Sequence, residues 1–243
     1  MMRGARAALA FLTRLPAGPL DAGDFSRAPG WFPAVGLGLG TLCAGVWLLA
    51  AWAWTPLLAA LAAVALGLLL TGALHEDGLA DTFDGLGAFR PVARALEIMR
   101  DSRIGAFGAM ALGIVLAAKV GALVALGGLA PVALIAGQGM SRAGMALMLR
   151  AGPYVRPSGA ATGMTGPLGT GVWPLGLAVV LAGGLTLWAA GWGLVAGLAG
   201  LVLAQLAVRE WARRRLGGIT GDILGAAQVL GDLGFLLGVL ACL

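Results

Sequence analysis

GAFGAMALGIVLAAKVGALVALGGL, residues 105–129, runs for twenty-five residues with a single charged side chain, Lys119. A helix needs about 20 predominantly apolar residues to cross the hydrocarbon of a bilayer, so this stretch reads as a transmembrane helix. Six further runs of the same character flank it, at 33–52, 57–74, 131–149, 172–189, 192–208 and 223–243. The expected fold is all-α: a polytopic transmembrane helical bundle of about seven spans, forming a single integral membrane domain over 1–243.

Composition agrees. The chain is 60% hydrophobic and 11% charged, whereas soluble domains carry roughly a quarter charged residues. The runs leave no length for a separate soluble domain. The net charge of +5 comes from arginines scattered over short connections without an aromatic-interleaved stripe, which argues against a nucleic-acid partner. Cys43 and Cys242 both fall inside apolar runs, so neither a disulfide framework nor a zinc site is expected.

The arginines instead set orientation. The links at 53–56, at 130 and at 190–191 carry no charge, while the alternate connections hold Arg3, Arg6, Arg14 and Arg27; Arg90, Arg94, Arg100 and Arg103; Arg150 and Arg156; and Arg209, Arg213, Arg214 and Arg215. Positive charge near membrane ends stays in the cytoplasm, which predicts an inside N-terminus and an outside C-terminus. Near the start, Arg3 and Arg6 precede a short apolar run that resembles a signal peptide, but Arg14 and Pro16 interrupt it. Leu9, Leu12 and Leu15 recur there at helical spacing, as in a short retained helix lying at the membrane interface.

Of eleven acidic residues, six lie between Glu76 and Asp101. If the second span continues as a helix through this stretch, Asp77, Asp81 and Asp84 stack on one face at i, i+4 and i+7. Like charges so placed repel, and a divalent cation is the economical compensation. Magnesium takes hard oxygen ligands, with one or two carboxylates completed by waters and substrate phosphates. Arg90, Arg94, Arg100 and Arg103 stand close in sequence to clamp phosphate oxygens. The plainer reading is a solvated mixed-charge surface. Against it, Asp77-Gly78 and Asp84-Gly85 pair two poor helix formers. His75, the lone histidine, is either a helix-end polar group or a base or ligand.

Four segments carry a family resemblance: FLTRLP at 11–16, LHEDGLADTFDGL at 74–86, EIMRDSRIG at 97–105 and GGITGDILGA at 217–226. Together they resemble cobalamin-5'-phosphate synthase, the adenosylcobinamide-GDP ribazoletransferase family. Glu76 stands where that family's pattern is more variable and often apolar, and the acid expected soon after Ala226 is absent, with Asp232 the nearest. The resemblance implies condensation of adenosylcobinamide-GDP with α-ribazole or its 5'-phosphate and release of GMP. It also implies a magnesium cofactor and a multi-pass enzyme of the bacterial plasma (inner) membrane with its active site on the cytoplasmic side.

On that reading Asp77, Asp81 and Asp84 hold magnesium, and Asp101 supplies a ligand or accepts the proton of the attacking ribose hydroxyl. Asp84 and His75 join Asp101 as catalytic candidates. Arg14, Arg90, Arg100, Arg103, Arg142 and Asp222 are the substrate-binding candidates, Asp222 reaching in from across the fold. The expected partners are the two substrates and the lipid bilayer, and a homo-oligomer is compatible with the sequence.

Two other classes compete. An ion-coupled transporter suits the many glycines and the ionisable Lys119, Arg142 and Asp232 inside apolar runs, but it needs its acids at mid-membrane. A membrane scaffold would use the same loop charges for docking. Membrane CDP-alcohol phosphotransferases share Asp81-x-x-Asp84-Gly85, but their second aspartate pair is missing here.

Overall fold

A computed structural model describes residues 2–150, 152–156, 161, 163–165 and 172–243. Among them the fold is helical, and the one β-type pairing is an isolated parallel bridge between Tyr154 and Ile219. The chain opens on α1 (Met2–Leu12), an amphipathic helix that buries Gly4, Ala7, Ala8 and Leu12. A 3-10 segment, Ala22–Trp31, leads into α2 (Phe32–Ala53), whose Pro33 stands in the first turn, where a missing N–H costs nothing. Phe11 stacks on Phe32 at 5.5 Å and fastens α1 to the start of α2.

α3 (Pro56–Thr71) begins on a Thr55 cap, whose hydroxyl accepts the Leu58 N–H at 3.4 Å. It ends where Gly72 and Ala73 both take left-handed backbone angles, φ 64° and 55°. Glycine adopts that conformation freely and alanine against a steric cost. Two such residues in succession redirect the chain, and α4 (Leu74–Leu86) leaves at 88° to α3. The second span therefore does not run on as one straight helix. The expected aspartate spacing nevertheless stands, because Asp77, Asp81 and Asp84 all fall within α4.

A short α5 (Val92–Ile98) precedes α6 (Ala106–Leu126) and α7 (Ala130–Met148), which are joined by a single 3-10 turn. α8 (Val172–Ala190), α9 (Gly193–Leu216) and α10 (Gly221–Leu240) complete the bundle. Five helical runs are long and apolar enough to cross a membrane, or six if the bent α3–α4 pair counts as one. The difference from seven expected runs arises largely at 106–148, where α6 and α7 form one 43-residue run. At 1.5 Å per residue that is about 65 Å, roughly twice the hydrocarbon thickness.

α10 is the axis of the molecule, with 72% of its span buried, and it packs on α4, α6, α7 and α9. Small residues allow this: Gly200 and Gly234 leave no room for a Cβ between α9 and α10, as Gly36 and Gly40 leave none between α2 and α7. Close backbone approach of this kind replaces the hydrophobic drive that lipid does not supply.

Candidate functional site

The acidic helix α4 meets the N-terminal turn of α10 at a glycine contact. A Cβ on Gly78 would lie 2.9 Å from the Asp222 carbonyl oxygen, and one on Gly225 would lie 3.1 Å from that of His75. Only glycine lets the two backbones approach so closely, and the approach places Asp222 beside Asp77 and Asp81. The potential at Asp81 is made negative by Asp77, Asp222 and Asp84, with Arg156 alone opposing them. Asp77 is exposed and Asp81 half-buried. Neither carboxylate makes a hydrogen bond or contact ion pair among the described residues. Asp222 is ion-paired with Arg156 at 2.6 Å. A cavity between α4, α10 and the 154–156 segment is lined by His75, Asp77, Asp222, Arg156 and Tyr154, with Phe11 at its edge.

Asp84 occupies a different position. Its Oδ2 accepts the Gly105 N–H at 2.7 Å and its Oδ1 the Gly108 N–H at 2.9 Å, so the carboxylate caps the first turn of α6. A Cβ on Gly105 or Gly108 would collide with those oxygens. The acid stretch and the Gly105 stretch are thus two sides of one joint. We expect Asp84→Ala to lower stability by about 2–3 kcal/mol, the loss of two charge-assisted bonds at a helix N-terminus. Thermal unfolding in detergent measures it, and an unchanged Tm would remove the capping role.

The remaining expected residues are dispersed. His75 is buried, lines the cavity, and has no partner for Nε2 among the described residues. Asp101 lies in the loop before α6 and is gripped by Arg103, which donates from Nη2 at 2.6 Å and from its backbone N–H at 3.1 Å. Those bonds hold the Asp101 carboxyl down at about 2, so it stays ionised at neutral pH and is a weak proton acceptor. Arg90 and Arg100 are exposed on the α4–α5 and α5–α6 connections. Arg14 packs over Gly72 at the α3–α4 break, and its N–H donates to the Leu70 carbonyl at 2.8 Å.

Arg142 is not at this cavity. It is 1% exposed inside the bundle and donates to Gln138. There it joins a second polar group: Lys119 pairs with Asp232 at 2.6 Å, Gln138 donates to Asp232 at 2.8 Å, and Glu76 points inward from α4 to line the same enclosed space. The cluster balances two cations against two acids. Glu76, which departs from the expected pattern, thus serves α4's inner side while Asp77 and Asp81 serve its outer side.

One residue at the cavity escaped sequence reasoning, since Arg156 counted only as a topological charge. The signal that could have found it is the PYVR stretch at 153–156, polar and free of helical periodicity between two apolar runs.

Among the described residues no three His, Cys, Asp or Glu side chains converge closely enough to enclose a metal ion. The donor set is nonetheless hard oxygen: burial, then Asp77 and Asp222, push the Asp81 carboxyl up to about 7, and a cation held by the Asp77–Asp81 pair would restore its charge, with remaining positions left to water and phosphate.

The chain matches the family model described as cobalamin-5-phosphate synthase over residues 4–240. It is 42% identical to the adenosylcobinamide-GDP ribazoletransferase of Bradyrhizobium diazoefficiens, covering 96% of this chain and 91% of that protein. The Vibrio cholerae protein of the same name is 40% identical, covering 97% and 92%, and that of Shewanella frigidimarina is 36% identical, covering 96% and 92%. No solved structure matches the chain.

Proposed function

Because this chain belongs to the cobalamin-5-phosphate synthase family, we propose that it carries out the final condensation of cobalamin synthesis at the cavity between α4 and α10. The substrates are adenosylcobinamide-GDP and α-ribazole or its 5'-phosphate. A ribose hydroxyl attacks the phosphorus that bears the cobinamide. The bond from that phosphorus to the GMP oxygen breaks, a phosphodiester forms, GMP leaves, and the hydroxyl proton passes to a base.

The observation that carries this reading is the meeting of Asp77 from α4 with Asp222 and Arg156 in one cavity, with Asp81 one turn further along α4 and within the field of all three. Such a transfer asks little covalent chemistry of the protein; it needs positioning and stabilisation of phosphate charge. Asp77 and Asp81, with Asp222 across from them, are the residues that would hold magnesium. When bound, the ion supplies charge neutralisation and Lewis acidity toward phosphate oxygens. Arg156 places a guanidinium beside the acids, where phosphate oxygens dock. His75 is the proton acceptor assigned here, since the residue borders both this cavity and the enclosed space of Lys119 and Arg142, and its Nε2 has no partner among the described residues. Arg90 and Arg100, exposed on neighbouring loops, guide the anionic donor toward the cavity.

The transfer takes place in the bacterial inner membrane, with the cavity open to the cytoplasm where nucleotides are held. The arginine distribution supports that orientation. The ionisable groups that would favour a transporter neutralise one another inside the bundle, as Lys119 does Asp232.

Purified protein in detergent should release GMP from adenosylcobinamide-GDP and α-ribazole only with magnesium present. Chelation should stop the release and added magnesium restore it. Undiminished turnover in excess chelator would contradict the metal assignment while leaving the family's reaction intact.

A further inference from the structure

We infer that Tyr154 and Arg156 form a phosphate-holding corner of the cavity, an assignment that rests on the reaction proposed above. The segment carrying them is fixed in place. The Val155 N–H donates to the Ile219 carbonyl at 3.0 Å and the Ile219 N–H to the Pro153 carbonyl at 2.9 Å, which ties the segment to the turn entering α10. Gly218 accepts this contact only because it lacks a Cβ. Two side chains two residues apart in extended backbone project to the same side, and both line the cavity with His75, Asp77 and Asp222.

Both side chains carry an unanswered polar atom. The Tyr154 hydroxyl and the Arg156 Nε are buried and have no hydrogen-bond partner among the described residues. Nη2 of Arg156 is engaged: it pairs with Asp222 at 2.6 Å and reaches the Met99 carbonyl at 3.3 Å, and the side chain is 11% exposed. Buried donors without acceptors cost stability, and a folded chain keeps them chiefly where something else completes them. Two such donors in one cavity ask for an acceptor with several oxygens. The anionic oxygens of a phosphate meet that need, and arginine is the side chain best shaped to bind them. Gly221 leaves space beside the tyrosine, where a Cβ would lie 3.7 Å from the hydroxyl.

Arg156 thereby acts in two directions, holding Asp222 through one nitrogen and facing the substrate with another. Two substrate phosphates share this chemistry, the diphosphate of adenosylcobinamide-GDP and the 5'-phosphate of a phosphorylated acceptor.

The test uses full-length protein in detergent and the variants Tyr154→Phe and Arg156→Lys. Phenylalanine removes only the hydroxyl, and lysine keeps a charge beside Asp222 while removing Nε. For Tyr154→Phe we expect an unchanged or slightly raised Tm, because no internal bond is lost, and about a tenfold rise in one KM. A rise confined to α-ribazole 5'-phosphate, with free α-ribazole unaffected, assigns the corner to the acceptor. A rise in the KM for adenosylcobinamide-GDP with either acceptor assigns it to the donor. Arg156→Lys should follow the same pattern. If every KM stays within about twofold of the parent in both variants, or if Tyr154→Phe lowers Tm and leaves every KM alone, the corner is structural and the inference falls. Should the parent protein release no GMP, the reaction proposed above fails, and the corner is still judged by calorimetric binding of inorganic pyrophosphate with magnesium. Binding about tenfold weaker in Tyr154→Phe supports it, and equal binding overturns it.

Discussion

Replacing Asp81 by asparagine is expected to lower kcat/KM by about a thousandfold while leaving Tm unchanged or slightly raised. Asparagine has the shape of aspartate without its charge. The side chain is half-buried, makes no direct bond among the described residues, and lies in a negative potential set by Asp77, Asp222 and Asp84. Burial and the neighbouring carboxylates already push the Asp81 carboxyl up to about 7, so a neutral side chain there costs the resting fold little. Catalysis loses a carboxylate that would hold a cation against the diphosphate. Metal stabilisation of transferring phosphate is worth several kcal/mol, and each 1.36 kcal/mol is tenfold in rate, so about 4 kcal/mol gives three decades. Asp84→Ala should fail the other way, through stability first, because that carboxylate caps α6. GMP release and thermal unfolding, measured on the same preparations, separate the two. Asp81→Asn retaining more than a tenth of parental activity would remove Asp81 from the metal site.

The second large effect belongs to the interior. Asp232→Leu should destabilise the protein by about 3–5 kcal/mol, the usual consequence of leaving a buried charge without its partner. Lys119 would lose an ion pair of 2.6 Å and Gln138 an acceptor at 2.8 Å. Lys119 and Arg142 would then face Glu76 as the single acid of the cluster. Because α4 carries Glu76 on its inner side and Asp77 and Asp81 on its outer side, the shift should also reduce turnover. The double variant Lys119→Met, Asp232→Leu removes both charges and should recover most of the lost stability, since apolar replacement of a buried pair is often neutral or better. Denaturation in detergent provides the measurement. A loss below about 1 kcal/mol in the single variant would show that the pair does not hold α6 to α10.

Part of the site was legible because it is local. Asp77, Asp81 and Asp84 fall at helical spacing in an acid-rich stretch, and α4 realises that spacing. Asp222 was legible as a polar residue at the start of an apolar run, and it does reach the cavity. The division of labour within the triad was not legible, since Asp84 turns to Gly105 and Gly108, more than twenty residues away. Arg142 was placed by its rarity in an apolar run near the substrate, yet its partners enclose it in the bundle. Arg156 gave only a weak signal, because its position depends on the backbone bridge of Tyr154 to Ile219.

The sequence by itself determined the class of environment. Apolar runs long enough for lipid require helices, since backbone polar groups have no other partner there, and apart from Lys119, Arg142 and Asp232 the charge gathers outside those runs. It also determined which chemistry was available, a set of carboxylates and arginines in two short stretches. Only the tertiary structure decided which charges meet. The 88° turn at Gly72 and Ala73, the glycine contact of α4 with α10 and the pairing of Lys119 with Asp232 join positions remote in sequence. The physical reason is that periodicity records the side of a helix a residue occupies, whereas the neighbour on that side is fixed by packing, through backbones that approach only where glycine allows it.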